Sequence, residues 1–192
     1  MNAIKKVSQV VLATGLFVLG LGFVSKANAA GGNPDTMTIS VTPAVTYAVT
    51  ITSTTGGVGY QFGSVALAAS TISTAAIVLK NTGTISEYFS LAVSNSLPDN
   101  WAAGASGTPG ANTFGLIGEL SGTQPADSAF VGGDALANAI PPTAATLYGQ
   151  ASTPTNVNAT QNLWLKLNMP TSLSVGTGGA QTMTLSVNGQ AG

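Results

Sequence analysis

Few side chains in this sequence could carry acid–base or nucleophilic chemistry. The 192 residues include five lysines, no arginine, six acids, no histidine and no cysteine. Without an imidazole or a thiol, the chain has no His-activated nucleophile and none of the usual zinc or haem ligands. The lysines are scattered and no arginine accompanies them, so nucleic-acid binding is not expected. Composition alone therefore argues against an enzyme.

Carboxylates are the remaining candidates for a catalytic or metal site. Asp99, Asp127 and Asp134 fall in an irregular region and could converge as a glycosidase pair or as calcium ligands. Their spacing does not require this and no D-x-D-x-D-G loop is present, whereas turn chemistry explains each acid more simply. Lys80 and Lys166 are expected to face solvent. We therefore predict no catalytic residue, no metal site and no cofactor.

Two tryptophans are candidates for recognition. Trp101 lies in a Gly-rich stretch, and Trp164 alternates with the apolar residues of its strand, so its ring should point away from the main core. Exposed aromatic rings can stack on sugars or become buried at a protein interface. The alternative is that each ring covers a local edge of the fold. A cell-surface polysaccharide is thus one partner that the sequence suggests.

The first 29 residues have the pattern of a secretory signal peptide. Lys5 and Lys6 precede an apolar run over residues 10–24, and a small-x-small cleavage motif ends at residue 29. The run is shorter than the about 20 residues that a spanning helix needs, so we expect cleavage rather than a retained anchor. The mature chain would begin at Ala30 with 163 residues and a side-chain net charge of −4. It would be secreted or held at the cell surface, with no membrane span.

The rest of the chain alternates apolar and polar residues with a period of two, which is typical of strands with one face on a core. Alternating runs span 37–41, 45–52, 75–80, 87–94, 162–169 and 181–187, shorter candidate strands span 59–62 and 64–67, and a further candidate spans 113–120. We expect Gly115 and Gly118 to break the last of these. Residues 134–140 should form a helical turn capped by Asp134 and stopped by the prolines that follow.

Turn signals at near-regular spacing favour an antiparallel β-sandwich of seven to nine strands with little helix. Residues 30–36 are expected to be a flexible lead, and residues 37–192 one domain with an irregular insertion at about 96–157. Within the 87–94 run, Phe89, Leu91 and Val93 should face the core, and Tyr88 and Ser90 the solvent. No fixed-period repeat is present.

Three segments together resemble a known group of proteins. They are the Ile-Val-Leu-Lys-Asn-Thr-Gly run at 77–83 followed by Tyr-Phe-Ser-Leu at 88–91, the strand at 163–170, and the final alternating strand. This set resembles secreted immunoglobulin-like sandwiches of the CARDB and TasA/camelysin kind. The resemblance implies an all-β, Ig-like sandwich of Greek-key or jelly-roll type. For the TasA-like proteins it also implies fibres in which one subunit's N-terminal strand completes the sheet of the next.

The scarcity of charge points to assembly. The predicted mature chain carries eight charged side chains, and its polar face is made of Thr, Ser, Asn and Gly. Isolated proteins usually keep more charge to stay dispersed, and Thr-rich edges without charges favour strand pairing. We therefore predict a homo-oligomer or polymer, a subunit of an extracellular filament, pilus or surface layer.

The predicted assembly element is the run at residues 37–41. Met37, Ile39 and Val41 would fill alternate pockets of a neighbouring copy while the backbone adds a strand to its sheet. The alternative is that this run is simply the first strand of its own sandwich. A different function, an adhesin or carbohydrate-binding module that uses Trp101 and Trp164, is also open.

Overall fold

The computed structural model describes residues 37–53, 59–94, 101–136, 148, 154–174 and 179–191. These residues are mostly strand with almost no helix, so the chain is an all-β protein. Two compact units are present, Met1–Val41 and Thr42–Gly192. In the first unit, the described residues 37–41 do not form a strand. The second unit contains every strand of the described chain.

Eight strands and two short 3₁₀ turns make up the described part of the second unit. The strands are β1 (Val49–Ser53), β2 (Ser70–Ile72), β3 (Ile77–Asn81), β4 (Glu87–Val93), β5 (Ala102–Ala103), β6 (Thr113–Leu120), β7 (Thr160–Asn168) and β8 (Leu185–Ala191). The 3₁₀ turns are Asp127–Ala129 and Gly132–Asp134.

The strands form two sheets. The larger has the order β1-β3-β7-β6-β5, and β2 also pairs with β7; the smaller consists of β4 and β8. Pairing is antiparallel throughout except between β5 and β6. Strands β2 and β3 lie against the same strand β7, and Ser73 fills the gap between them. Its hydroxyl accepts the Leu165 N–H at 3.0 Å, and its own N–H donates to the Leu165 carbonyl at 2.8 Å.

The core forms between the two sheets because both supply alternating apolar side chains. The larger sheet buries Leu163, Leu165 and Leu167 from β7, and the smaller buries Phe89 and Leu91 from β4. Burying a side chain of this size stabilises a fold by about 1.5–3 kcal/mol. The predicted inward positions of β4 are confirmed, whereas Ser90 is also buried and donates its hydroxyl to the Asn188 carbonyl at 3.3 Å. The outward prediction for Ser90 was therefore wrong.

The Asn-Thr-Gly sequence after β3 carries the chain from the larger sheet to the smaller one. Asn81 is fully buried, and its Nδ2 donates to the carbonyls of Ile85 and Thr155 at 2.9 and 2.8 Å. Its Oδ1 accepts the Gly83 N–H at 2.8 Å. Gly83 is required because a Cβ there would lie 2.4 Å from the Thr46 carbonyl oxygen. One buried amide thus fixes the crossing.

Two glycines do not break β6, contrary to the prediction. The strand runs through Gly115 and Gly118 and pairs with β7 over six residue pairs. A Cβ at Gly115 would lie 1.9 Å from the Gly107 carbonyl oxygen, and one at Gly118 would meet three leucine side chains at 3.0–3.3 Å. These glycines permit close packing against the strand. The segment predicted as an irregular insertion therefore contains a central strand.

Other boundaries also differ from the predicted ones. Residues 59–62 and 64–67 are not strands, and the first strand is β1 rather than residues 37–41. The run predicted as a helical turn capped by Asp134 begins instead with Asp134 as the last residue of a 3₁₀ turn whose N-cap is Val131. Residues 137–140 of that run lie outside the described chain, as do the predicted signal peptide and flexible lead at 1–36.

Candidate functional site

A cavity of about 920 Å³ lies between the two sheets, at the end where β4 finishes and β8 begins. We call it the groove. The larger sheet lines it with side chains of β1, β3, β6 and β7, and the smaller sheet with the ends of β4 and β8. Its apolar lining residues are Ile51, Phe62, Val65, Ile77, Val93, Trp101, Leu116, Leu165, Leu167, Met169, Ala180, Met183 and Leu185. The groove is partly open to solvent and is bordered by apolar side chains of both sheets.

The electrostatics of the groove favour an apolar occupant. None of the described residues that line it is acidic or basic, and its polar groups belong to Ser, Thr, Gln and Tyr side chains and to the indole of Trp101. An incoming apolar side chain therefore displaces water without removing a charge from solvent. Each buried methylene contributes about 0.8 kcal/mol.

One wall of the groove is residues 59–65, which we call the strap. Tyr60 and Phe62 are half-buried and pack against the core, with ring centroids 4.9 Å apart in an edge-to-face arrangement. The Tyr60 hydroxyl accepts the Thr74 N–H at 2.7 Å and lies 3.2 Å from the Thr74 hydroxyl. Within the described chain, the strap makes no backbone hydrogen bond. Side chains rather than a strand ladder therefore hold it in place.

The groove lies beside an unpaired strand edge. Strand β8 pairs with β4 on one side, and no described strand pairs with its other side. Among the described strands, β1 is likewise the outer strand of the larger sheet and pairs with β3 alone. Ile51 of β1 and Leu185 of β8 both line the groove. In the described part of the chain, the outer edges of β1 and β8 therefore have no strand partner where they border an apolar surface.

The predicted assembly residues lie in the described part of the first unit, residues 37–41. We call these five residues the arm. Met37, Ile39 and Val41 are 81%, 80% and 89% exposed. No hydrogen bond is formed by the arm within the described chain. Three large apolar side chains are thus presented to solvent at the alternating spacing of a strand.

The two tryptophans are not the exposed platforms that sugar stacking needs. Trp101 is 5% exposed, lines the groove, and has an indole N–H that is buried without an acceptor in the described structure. This corrects its prediction as an accessible loop aromatic. Trp164 is half-buried and donates its indole N–H to the Ser121 carbonyl at 3.0 Å. Both rings complete the packing of the sheets.

A buried carboxyl lies at the opposite end of the sheets from the groove. Glu87 is fully buried; its Oε2 accepts the Ala48 N–H at 2.9 Å, while its Oε1 has no partner within the described chain. A Cβ on Gly189 of β8 would lie 2.1 Å from this carboxyl. Burial raises the pKa of Glu87, and the Ala48 N–H lowers it by a smaller amount. The sequence held a signal for this position, because Glu87 is in phase with Phe89, Leu91 and Val93.

Among the described residues, no three acids come together, although Glu119 and Asp134 lie close enough for their charges to interact. Asp127, an exposed residue, forms an ion pair of 2.7 Å with the Lys166 ammonium, and Lys166 is only 13% exposed rather than solvent-facing as predicted. Burial raises the pKa of both Glu119 and Asp134; the Asp134 charge adds to the rise at Glu119, and the Tyr148 N–H opposes the rise at Asp134. Asp99 lies outside the described residues.

Within the described part of the chain, no three potential metal ligands of the His, Cys, Asp and Glu types come together. None of the helical segments described there is long and apolar enough to cross a bilayer. Sequence reasoning singled out residues 37–41 but missed the groove, because the sequence predicts two short strands at 59–62 and 64–67 and places Trp101 in a loop. Comparison of the chain with protein-family models, curated proteins and solved structures gave no match.

Proposed function

We propose that this protein is an exported structural subunit that polymerises by strand addition into an extracellular filament, pilus or surface layer. The observation that carries the proposal is the open strand position beside β8, which lies over an apolar groove. The exposed arm of a second copy is the proposed occupant. Affinity would come from backbone hydrogen bonds to the β8 edge, and specificity from side chains in the groove.

The strand order supports an Ig-like sandwich with one position open. An Ig constant-type fold has strands A, B, E and D in one sheet and C, F and G in the other. Here β1, β3, β7 and β6 have the order and direction of A, B, E and D, and β4 and β8 those of C and F. Strand G has no counterpart among the described residues. Its position would be the free edge of β8.

The arm has the dimensions that this position requires. Its three apolar side chains recur at every second residue, so in an extended strand they share one face and span about 13 Å. The groove occupies only one end of the β8 edge, beside Val93, Met183 and Leu185. A short strand such as the arm could therefore pair with this end of β8. The arm carries no charge, in keeping with a groove whose described lining is uncharged.

Exchange of the arm between copies leads naturally to a polymer. The donor surface is in residues 37–41 and the acceptor surface is at β8, so the contact joins two different patches. Such heterologous contacts form rings when the rotation closes and open filaments when it does not. Each added copy would present its own free β8 edge for the next.

The arm is tested by replacing its apolar side chains. The purified variant M37S/I39S/V41S should stay folded and remain monomeric in light scattering, with no filaments by electron microscopy. The matched control T38S/S40T/T42S changes the alternate positions and should assemble like the unmodified chain. Assembly of both variants to the same extent would overturn strand donation by the arm.

The same variants separate donation from the alternative that the arm completes its own sandwich. Under donation, the triple serine variant has the unfolding free energy of the unmodified monomer. If the arm instead closes its own groove, the variant loses stability at any protein concentration. Urea unfolding of dilute monomer distinguishes the two.

Export rests on the predicted signal peptide. The N-terminal sequence of the chain recovered from outside the cell should begin at Ala30, because the cleavage motif ends at residue 29. A retained segment at 1–29 would contradict the predicted cleavage. The assembly proposal would then still be tested by the arm variants.

A further inference from the structure

We propose that the strap, residues 59–65, is a built-in placeholder: it forms one wall of the acceptor groove in the free subunit, narrows the space that a donor strand needs, and is displaced when the arm of another copy enters. This inference rests on the proposed function, since it concerns control of the same site. The strap would slow assembly until a donor competes with it.

The strap imitates an inserted strand in its side chains. Tyr60 and Phe62 are half-buried toward the core, while Gln61 between them is exposed. This is the spacing at which an extended segment presents side chains to one face, and Met37 and Ile39 of the arm have it too. Strap and arm therefore offer the same kind of contact to the groove.

The strap lacks the backbone pairing that a true strand would have. Within the described chain, residues 59–65 form no backbone hydrogen bond, and no described strand pairs with the free edge of β8. An arm strand added to β8 would gain these bonds, each worth about 0.5–1.5 kcal/mol. The donor can therefore displace the strap even though both present apolar groups to the groove.

The strap also has the backbone of a segment that can swing. Gly59 and Gly63 adopt φ values of +93° and +71°, which glycine reaches without steric penalty. A Cβ at either position would meet nothing within 4 Å, so packing does not require a glycine there. Beyond the strap, the chain is fixed again where the Ala68 N–H donates to the Pro170 carbonyl at 2.9 Å.

Among the described residues, one side-chain hydroxyl holds the strap in place by hydrogen bonding. The Tyr60 hydroxyl bonds to the Thr74 N–H and lies within reach of the Thr74 hydroxyl, just after β2. Removing this hydroxyl keeps the ring in the groove but weakens the closed position. The fraction of molecules with an open groove would rise, and the apparent rate of donor binding would rise with it.

The test measures donor entry directly. The acceptor is the full chain with M37S/I39S/V41S, and the probe is a fluorescent synthetic peptide with the sequence of residues 35–44. Stopped-flow anisotropy gives the association rate. Adding Tyr60→Phe to the acceptor should raise the rate about fivefold, the effect of losing about 1 kcal/mol of hydrogen bonding. Phe62→Leu weakens the packing of the strap and leaves the Tyr60 hydrogen bond intact, so it should also raise the association rate.

Tyr47→Phe is the matched control, since Tyr47 is an exposed tyrosine that is not among the groove-lining residues. Its association rate should equal that of the parent acceptor. If the peptide binds with equal rates to the parent, Tyr60→Phe and Phe62→Leu, the placeholder is overturned and strand donation stands. Slower binding to Tyr60→Phe would show that the strap is part of the acceptor surface, and this result would also overturn the placeholder role. A peptide that binds to none of them overturns both proposals.

Discussion

The two ends of the paired sheets are finished in different ways. At one end, which we call the latched end, the buried polar groups of Asn81, Glu87 and Thr155 join the crossing turn, the chain before β1 and the loop before β7. At the groove end, apolar side chains of both sheets line about 920 Å³ of space. The same strands form both ends.

This difference shows how a sheet protein can be stable and yet incomplete. The latched end fixes the relative position of the sheets through bonds that tolerate little change, because buried polar groups are costly when unpaired. The groove end can then remain open without loss of the fold. Stability and assembly are thereby assigned to opposite ends of one core.

The largest contrast is expected from truncating one apolar side chain in each region. Leu79 is fully buried in β3, away from the groove lining, whereas Met183 is half-buried in the groove wall. Leu79→Ala should lower the free energy of unfolding by about 3 kcal/mol through loss of burial and creation of a cavity. Met183→Ala should cost about 1 kcal/mol or less, because its surroundings are already open. Urea unfolding measures both, and equal losses would contradict the contrast.

Glycine substitutions should give the next largest difference. In Gly189→Ala the new Cβ would overlap the buried Glu87 carboxyl, so we expect a loss of about 2 kcal/mol. Gly63→Ala meets no atom within 4 Å and pays only for its positive φ, about 1 kcal/mol. The comparison of the two urea midpoints checks this. A costlier Gly63→Ala would mean that the groove end is the more tightly packed.

The Glu87 carboxyl makes stability depend on pH. Its folded pKa is raised by burial, so the folded state holds the proton more strongly than the unfolded state. This contribution is fully present below the unfolded pKa and is lost as the pH rises through the folded pKa. Burial raises the pKa values of Glu119 and Asp134 as well, with the same sign. The unfolding free energy should therefore be greater at pH 5 than at pH 7.5.

Glu87→Gln isolates the part due to this residue. The amide oxygen can still accept the Ala48 N–H, while no charge is buried at neutral pH. At pH 7.5 the variant should be more stable than the unmodified chain by about 1 kcal/mol, the scale of one unsatisfied buried oxygen. At pH 4 the difference should vanish. A variant less stable than the parent at pH 7.5 would show that the charged carboxylate is needed at the latched end.

The smallest effect is expected at the surface ion pair. Asp127 is 69% exposed, so its bond to Lys166 is screened by solvent. Asp127→Asn should change the unfolding free energy by about 0.5 kcal/mol or less. A loss as large as that of Gly189→Ala would place a main anchor of the fold outside both ends of the sheets.

The sequence predicted the longer strands β3, β4 and β7 better than the short ones, since β2 and β5 were missed and residues 59–62 and 64–67 are not strands. The alternation around Leu163, Leu165 and Leu167 was sufficient for β7, because a period of two assigns one face to the core whatever lies opposite. Gly115 was misjudged as a strand breaker, since its reason for being small is the Gly107 backbone, which is eight residues away and visible only in the fold.

The candidate site was partly predictable. The arm could be found because Met37, Ile39 and Val41 alternate with polar residues within one short run. The groove could not be predicted, because its lining comes from strands and loops spread over residues 51–185. No local sequence pattern indicates a space between segments so far apart in the chain. Trp101 illustrates the same limit, since a glycine-rich surrounding gave no sign that the ring is buried.

The most direct test of the central claim is a disulfide between two copies, because the chain has no cysteine of its own. Copies carrying Ile39→Cys in the arm are mixed with copies carrying Met183→Cys in the groove, oxidised during assembly and separated on a non-reducing gel. A crosslinked dimer should form that disappears on reduction. The control pairs Ile39→Cys with Val131→Cys, an exposed position not among the groove-lining residues, and should give almost none. Equal crosslinking in both mixtures, or none with Met183→Cys in assembled material, would contradict the insertion of the arm into the groove.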